Sequence, residues 1–150
     1  MTLTQDIKTY IDKSVLCWLA TASTTNIPNV SPKEVFTYFG DDSVIIANIA
    51  SPQSVKNIKA NPEVCVSFID VFVQKGYQLK GQAAIISNVD HGFPEMEKVL
   101  LKITEGQFPF SSITKIRITS SKPIIAPKYI LYPGTTEQQQ IESAKKTYGV

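Results

Sequence analysis

The sequence predicts a mainly β fold with helices on its flanks: a small barrel, closed or partly open, of six antiparallel strands. Three observations carry that expectation. Six apolar or alternating runs have strand length, glycine, proline and asparagine punctuate them, and the helical patterns between them are short. Closing such strands on themselves removes the edges that a flat sheet would expose. The 150 residues suffice for a real core, and no repeat, linker or low-complexity tract divides them, so one domain over residues 1–150 is expected.

The chain opens with Leu3, Ile7, Tyr10 and Ile11 at helical spacing, Thr4 as N-cap and Asp6 in the first turn, where it complements the helix dipole. VLCWLATA, residues 15 to 22, is a nearly continuous apolar run and predicts a strand buried on both faces. PNVSPKEVFTYF, residues 28 to 39, is rich in β-branched and aromatic types. It holds Pro32, which donates no ladder hydrogen bond, so a bulge or open edge is expected there. The turn at Gly40, Asp41 and Asp42 leads to SVIIANI, residues 43 to 49, as the hairpin partner. Ser51 and Pro52 then start a helix, serine at the N-cap and proline at the first helical position, with Val55 and Ile58 inward.

Asn61 and Pro62 stop that helix, and EVCVSFIDVFV, residues 63 to 73, alternates Val64, Val66 and Phe68 in strand period. Gly76 is expected to turn the chain. YQLKGQAAII, residues 77 to 86, sets Tyr77, Leu79, Gly81, Ala83 and Ile85 on one face, with Gly81 marking a bulge or a close backbone approach. A further helix is expected from Asp90, with Pro94 at its start, an inner face of Met96, Val99, Leu100 and Ile103, and Gly106 at its end. ITKIRITS, residues 113 to 120, alternates Ile116 and Ile118 against Lys115 and Arg117 and supplies the sixth strand. The tail, about residues 122 to 150, has an extended portion with Pro123, Pro127 and Pro133, then a polar helical piece from Thr136 to Thr147. It needs the barrel or a partner subunit to lie against.

Composition narrows the function classes. Apolar residues make up 43% and charged residues 19%, the balance of a folded globular chain. No apolar run is long enough to span a bilayer, and the N-terminus lacks the basic start and apolar centre of a secretory signal. No membrane partner is therefore expected, and the cytoplasm is the expected location. Cys17 and Cys65 lie in apolar runs with no Cys-x-x-Cys neighbour, which predicts buried thiols and no metal site. The one histidine, His91, falls in a turn-like stretch, so neither zinc chemistry nor a Ser-His-Asp triad is well supplied. A net charge of +2 without a block of Lys or Arg disfavours nucleic acid.

Chemistry points to two segments. In ANIASPQS, residues 47 to 54, a strand end runs into a helix start. The first N–H groups of a helix are unpaired and carry the positive end of its dipole, so a phosphate can dock there, with Gln53 and Ser54 adding side-chain donors. Any capped surface helix has the same start. In SPKE, residues 31 to 34, Pro32 frees its neighbours' backbone groups to address the edge of a planar ring, and Lys33 suits a phosphate or an electron-rich carbonyl. An edge strand with a solvated Lys33 and Glu34 has the same sequence. Lys80, Lys115 and Arg117 are expected to face solvent; Tyr129 and Tyr132 suit stacking on a flat ligand or packing on a neighbouring subunit.

Taken in order, the leading helix, VLCWLATAS, PNVSPKEVF, VIIANIASPQSVKNIKANPEVCVSF and YQLKGQAAI resemble the pyridoxamine phosphate oxidase-like, FMN-binding split-barrel superfamily over roughly residues 5 to 121. The resemblance implies a Greek-key split barrel and a homodimer holding FMN between its subunits. Carried onto this chain, it implies contacts to the flavin ring and ribityl chain from Ser31, Pro32, Lys33 and Glu34. It implies further ring contacts from Ala47, Asn48, Ile49 and Ala50, and a phosphate-binding turn of Ser51, Pro52, Gln53 and Ser54. Basic residues common in that turn are replaced here by Pro52 and Gln53, which leaves phosphate to amides, hydroxyls and a lysine from elsewhere. The Arg-x-His that the true oxidase carries near its C-terminus is not present. The implied activity is an FMN-dependent oxidoreductase or flavin reductase with a small-molecule electron donor or substrate and no assigned catalytic side chain. The alternatives are a non-catalytic flavin carrier or redox sensor, and a binder of another planar cofactor such as a deazaflavin or haem.

Overall fold

The computed structural model describes residues 1–150. Along the chain come α1 (Gln5–Lys13), β1 (Cys17–Ala22), β2 (Pro28–Lys33), β3 (Phe36–Phe39), β4 (Ser43–Ala47) and α2 (Pro52–Ala60). They are followed by β5 (Glu63–Asp70), β6 (Lys75–Ser87), α3 (Phe93–Thr104), β7 (Ser112–Ile125), α4 (Pro127–Leu131) and α5 (Glu137–Tyr148). The strands form one antiparallel sheet in the order β2-β1-β5-β6-β7-β4-β3. Its two edge strands are consecutive in sequence, joined only through Glu34 and Val35. Three residue steps reach about 11 Å at most, so the sheet must curl until its edges approach at that corner. The outcome is the expected mainly β, partly open barrel with flanking helices.

It has seven strands rather than six. Residues 28 to 39, expected as one strand, break at Glu34 and Val35. The first half pairs with β1, Trp18 standing opposite Pro32, and only Phe36–Phe39 forms the expected hairpin with β4. Pro32 is thus an edge residue, where its missing N–H costs no ladder bond.

Burial is also distributed differently from the sequence pattern. β1 buries one face, because Cys17, Leu19 and Thr21 point inward while Trp18 is 48% exposed. The strand covered on both faces is β4: Val44 and Ile46 join the barrel core, and Ile45 and Ala47 join a second cluster with Phe93, Met96 and Leu100 of α3. Helix α3 starts at Phe93 rather than Asp90, whose carboxylate instead accepts from the Ser87 N–H. Its inner face is Phe93, Met96 and Leu100, and Ile103 points to solvent. Helix α1 behaves as expected: Thr4 accepts from the Ile7 N–H, and Ile7 and Ile11 plug one end of the barrel. Cys17 is buried, whereas Cys65 is only half-buried. No helix is long and apolar enough to cross a membrane.

The outer face of the β1–β2 ladder is apolar along its length. Trp18, Ala20 and Ala22 stand opposite Pro32, Val30 and Pro28. Strand β5 continues it on the other side with Cys65, Ser67 and Ile69, and Val15, Trp18, Val71 and Ile124 border a hollow of about 360 Å³ there.

Gly76 does not turn the chain. That role falls to Gln74, which takes the left-handed conformation at φ 58°, while Gly76 lies inside β6 opposite Ile69. A Cβ on Gly76 would sit 2.0 Å from the Phe68 carbonyl oxygen. Gly76→Ala is therefore expected to cost about 2–3 kcal/mol by overpacking, read as a fall in the urea midpoint with the slope unchanged. The expected bulge does occur, between Lys80 and Gly81, and β7 runs on past residue 120 to Ile125 along β6.

Beyond β7 the chain folds back over the β5–β6 turn. Ala126 N–H donates to the Gln74 carbonyl at 3.1 Å and Tyr129 Oη to the Val73 carbonyl at 2.7 Å. Lys75 lies 4.4 Å from the Tyr129 ring centre and pairs with Glu137 at 3.1 Å. Helix α5 begins with a complete capping box between Thr136 and Gln139.

Candidate functional site

At the corner where the sheet's edges approach, the end of β2 meets the end of β4. The Ala47 N–H donates to the Val35 carbonyl at 3.0 Å and fastens the two segments together. Between them lies an apolar lobe of about 240 Å³, lined by Pro32, Lys33, Glu34 and Val35 on one side, Ala47, Ile49, Ala50 and Ser51 on the other, and Phe108. Both predicted segments thus contribute to one cavity. Ile49, Ala50 and Ser51 also wall a second, more open lobe of about 530 Å³, which adds Asn48, Ser112, Lys56 and Lys59.

Lys33 dominates the electrostatics of the first lobe. It is not solvated, as an edge-strand lysine would be, but 5% exposed with an Nζ that has no hydrogen-bond partner. Burial pulls its amine below the usual lysine range, and the residue directly opposite on β1 is Cys17. Burial likewise pushes the Cys17 thiol up to about 12, so near neutral pH it is uncharged and gives Lys33 no countercharge. Glu34, its neighbour in sequence, is exposed and makes no ion pair with it. An ammonium held away from water without an acceptor is costly, and an electron-rich ligand atom would relieve that cost.

The turn into α2 offers the complementary feature. The N–H groups of Ile49, Ala50, Ser51, Gln53 and Ser54 donate to no protein acceptor, and Pro52 has none to give. Ser51 holds the N-cap position, but its hydroxyl makes no capping bond. Such a run of unpaired amides at the positive end of a helix attracts anions.

Not every predicted residue faces the groove. Ser54 is buried, and its hydroxyl shares a hydrogen bond with that of Ser31 at 3.1 Å, tying α2 to β2. Gln53 donates to Asn57, which donates to Thr21. Those side chains support the site rather than line it. Asn48 is likewise committed, donating to Ser112 Oγ and accepting from Thr114 Oγ1, which fixes the floor of the second lobe. Phe108, half exposed in the α3–β7 loop, and the pair Lys56 and Lys59 escaped the sequence reading. Their spacing from Pro52 was a signal: four residues, then three more, keeps them on one helix face.

Residues 3–118 match the family described as pyridoxamine 5'-phosphate oxidase. The chain belongs to that family. No curated protein matches the sequence. Among solved structures, HupZ of Group A Streptococcus is 22% identical, with 83% of this chain and 95% of that one covered and a TM-score of 0.70. An FMN-binding protein of Syntrophomonas wolfei subsp. wolfei is 18% identical over 78% of this chain and 82% of its own, with a TM-score of 0.64. HutZ, the heme storage protein of Vibrio cholerae, is 19% identical over 83% and 95%, with a TM-score of 0.58. At such identities the family's members share the fold.

Proposed function

We propose that this chain binds FMN in the bilobed groove and serves as a flavin-dependent oxidoreductase or flavin reductase. The observation that carries the reading is a single lobe lined both by Lys33, whose buried Nζ has no partner, and by Ile49, Ala50 and Ser51, whose N–H groups are unpaired. Both favour an electron-rich, anionic ligand. The donors fit FMN: an apolar lobe lined by Pro32, Ile49 and Phe108 for the ring, and amides for the phosphate. The like-folded S. wolfei protein is described as FMN-binding, which supports this choice. When bound, FMN would supply hydride and electron transfer. Ala47 and Ala50 would shape the slot, Glu34 would border it, Ser31 would brace it through Ser54, and the positive charge of Lys33 would favour the reduced, more electron-rich ring.

HutZ brings a haem-binding alternative, but His91 lies between β6 and α3 and lines neither lobe. The groove therefore suits a flavin better. We also propose a homodimer built on the apolar face of β1 and β2. Pro32 belongs both to that face and to the first lobe, so a second copy seated there would flank the groove.

Titrating the purified, ligand-free chain with FMN is expected to red-shift and sharpen the flavin absorption and quench its fluorescence, saturating at one FMN per chain. Unchanged spectra at saturating protein would reject the proposal.

A further inference from the structure

Resting on the homodimer proposed above, we infer that the C-terminal tail supplies the other half of that interface. The apolar end of α4, Ile130 to Tyr132, seats in the hollow beside Trp18 on a second copy, and the exchange is reciprocal. The occupant of the hollow is thus a segment of this same chain.

Ile130, Leu131 and Tyr132 are 67%, 71% and 67% exposed, so three large apolar side chains in succession lie bare on the tail. They are held there from both sides. Ahead of them Tyr129 Oη donates to the Val73 carbonyl and the Ala126 N–H to that of Gln74. Behind them the capping box of α5 and the pair of Lys75 with Glu137 fix the chain again. A segment anchored at both ends keeps its tip in place and loses little further freedom on docking. The hollow offers the matching surface. Val15, Trp18, Ile69 and Val71 border it, no charged residue does, and a volume of about 360 Å³ admits side chains of this size. Area favours a second copy as the occupant. Val15, Trp18, Val30 and Val71 on the face and the three residues of the tip expose on the order of 100 Å² apiece. Together they approach the ~800 Å² that each partner gives to a standard dimer, and neither patch reaches it alone. In a two-fold pair each copy returns the contact it receives, so one docking covers both hollows and both tips. The tip also lies beyond residues 3–118, which match the family, so this contact is an addition to the barrel that the family shares.

Cross-linking between two differently marked chains tests the contact. Cys65→Ser removes the half-buried thiol of the face, and Cys17 is buried. In that background Val15→Cys is placed on one chain and Leu131→Cys on another, both at exposed positions that the fold does not depend on. Co-expressed and oxidised with copper phenanthroline, the two are expected to form a disulfide-linked pair with one chain of each kind, identified by its mass. Ile130→Ser combined with Leu131→Ser is expected to raise the dimer dissociation constant at least about tenfold in sedimentation velocity. Its urea midpoint, measured on the dilute monomer, should match that of the wild-type chain. Absence of the mixed cross-link in a chain that sediments as a dimer overturns the inference and leaves the homodimer standing, as does association unchanged by the serine pair. A single chain carrying both cysteines that closes its disulfide as a monomer puts the tip on its own hollow and likewise overturns it. A wild-type chain that stays monomeric at high concentration overturns the homodimer and the inference together.

Discussion

Replacing Lys33 by Met makes the flavin-free protein more stable and its grip on flavin weaker. Both effects come from one ammonium group. In the ligand-free chain Lys33 Nζ is enclosed without an acceptor, its neighbour Cys17 is uncharged, and Glu34 faces solvent. Methionine has similar length and no charge to desolvate, so the substitution should stabilise the fold by about 1–3 kcal/mol. The effect also has a pH signature. Because burial lowers the folded-state pKa of Lys33, the unfolded chain binds more protons between that lowered value and the usual lysine range. Wild-type stability therefore gains with rising pH across that window relative to Lys33→Met, and the gap between the two should narrow from neutral to alkaline pH. Paired urea titrations at the two pH values check it. A variant less stable than wild type at neutral pH would mean that the ammonium is satisfied after all. With FMN bound the advantage of Lys33→Met should shrink by about 1.5–3 kcal/mol, the worth of the lost charge-assisted contact.

Trp18→Glu is expected to leave a folded monomer that binds flavin poorly. Trp18 is 48% exposed, so the fold itself draws little from the outer half of its ring. In the proposed dimer that ring sits centrally on the stripe formed with Pro32, Val30 and Ala20, the position at which interface energy concentrates. A carboxylate there should cost about 2–4 kcal/mol of association, roughly a thirtyfold to thousandfold rise in dimer dissociation constant. Sedimentation velocity measures this directly, and a parallel FMN titration measures its consequence for the groove. If the variant remained dimeric, the second copy would have to dock elsewhere; if it became monomeric and bound FMN as tightly as before, the groove would be complete within one chain.

Local chemistry was legible wherever the signal and its cause lie within a few residues. Thr4 capping α1, the Gly40 to Asp42 hairpin, the alternation around Ile116 and the bulge at Gly81 all followed from short patterns. SPKE and the start of α2 were both legible as candidates and line one cavity, although SPKE reaches it from its ladder with β1 and not from a hairpin with β4. What the sequence hid was set by distant partners. Both halves of residues 28–39 favour strand, and only the pairing with β1 on one side and β4 on the other shows that they part at Glu34. Lys33 beside Glu34 looks like a solvated pair until the register sets it opposite Cys17, on the face that the barrel buries. Trp18 belongs to an apolar run, yet it points outward because period two carries Leu19 and Cys17 inward. Gly76 looked like a turn residue, although the space it occupies is fixed by Phe68 on the neighbouring strand.

The two strands at the sheet's margins, β2 and β3, share no ladder with each other. Elsewhere in the barrel, widening a gap between neighbours means breaking backbone hydrogen bonds in a row. Along this seam no such row exists: the Ala47 N–H to Val35 carbonyl bond and the Ser31–Ser54 hydroxyl pair fasten the corner at Glu34 and Val35, where the first lobe lies. Under the proposed flavin reading, a flat ligand would enter and leave at this corner while the ladders of the rest of the barrel stay intact.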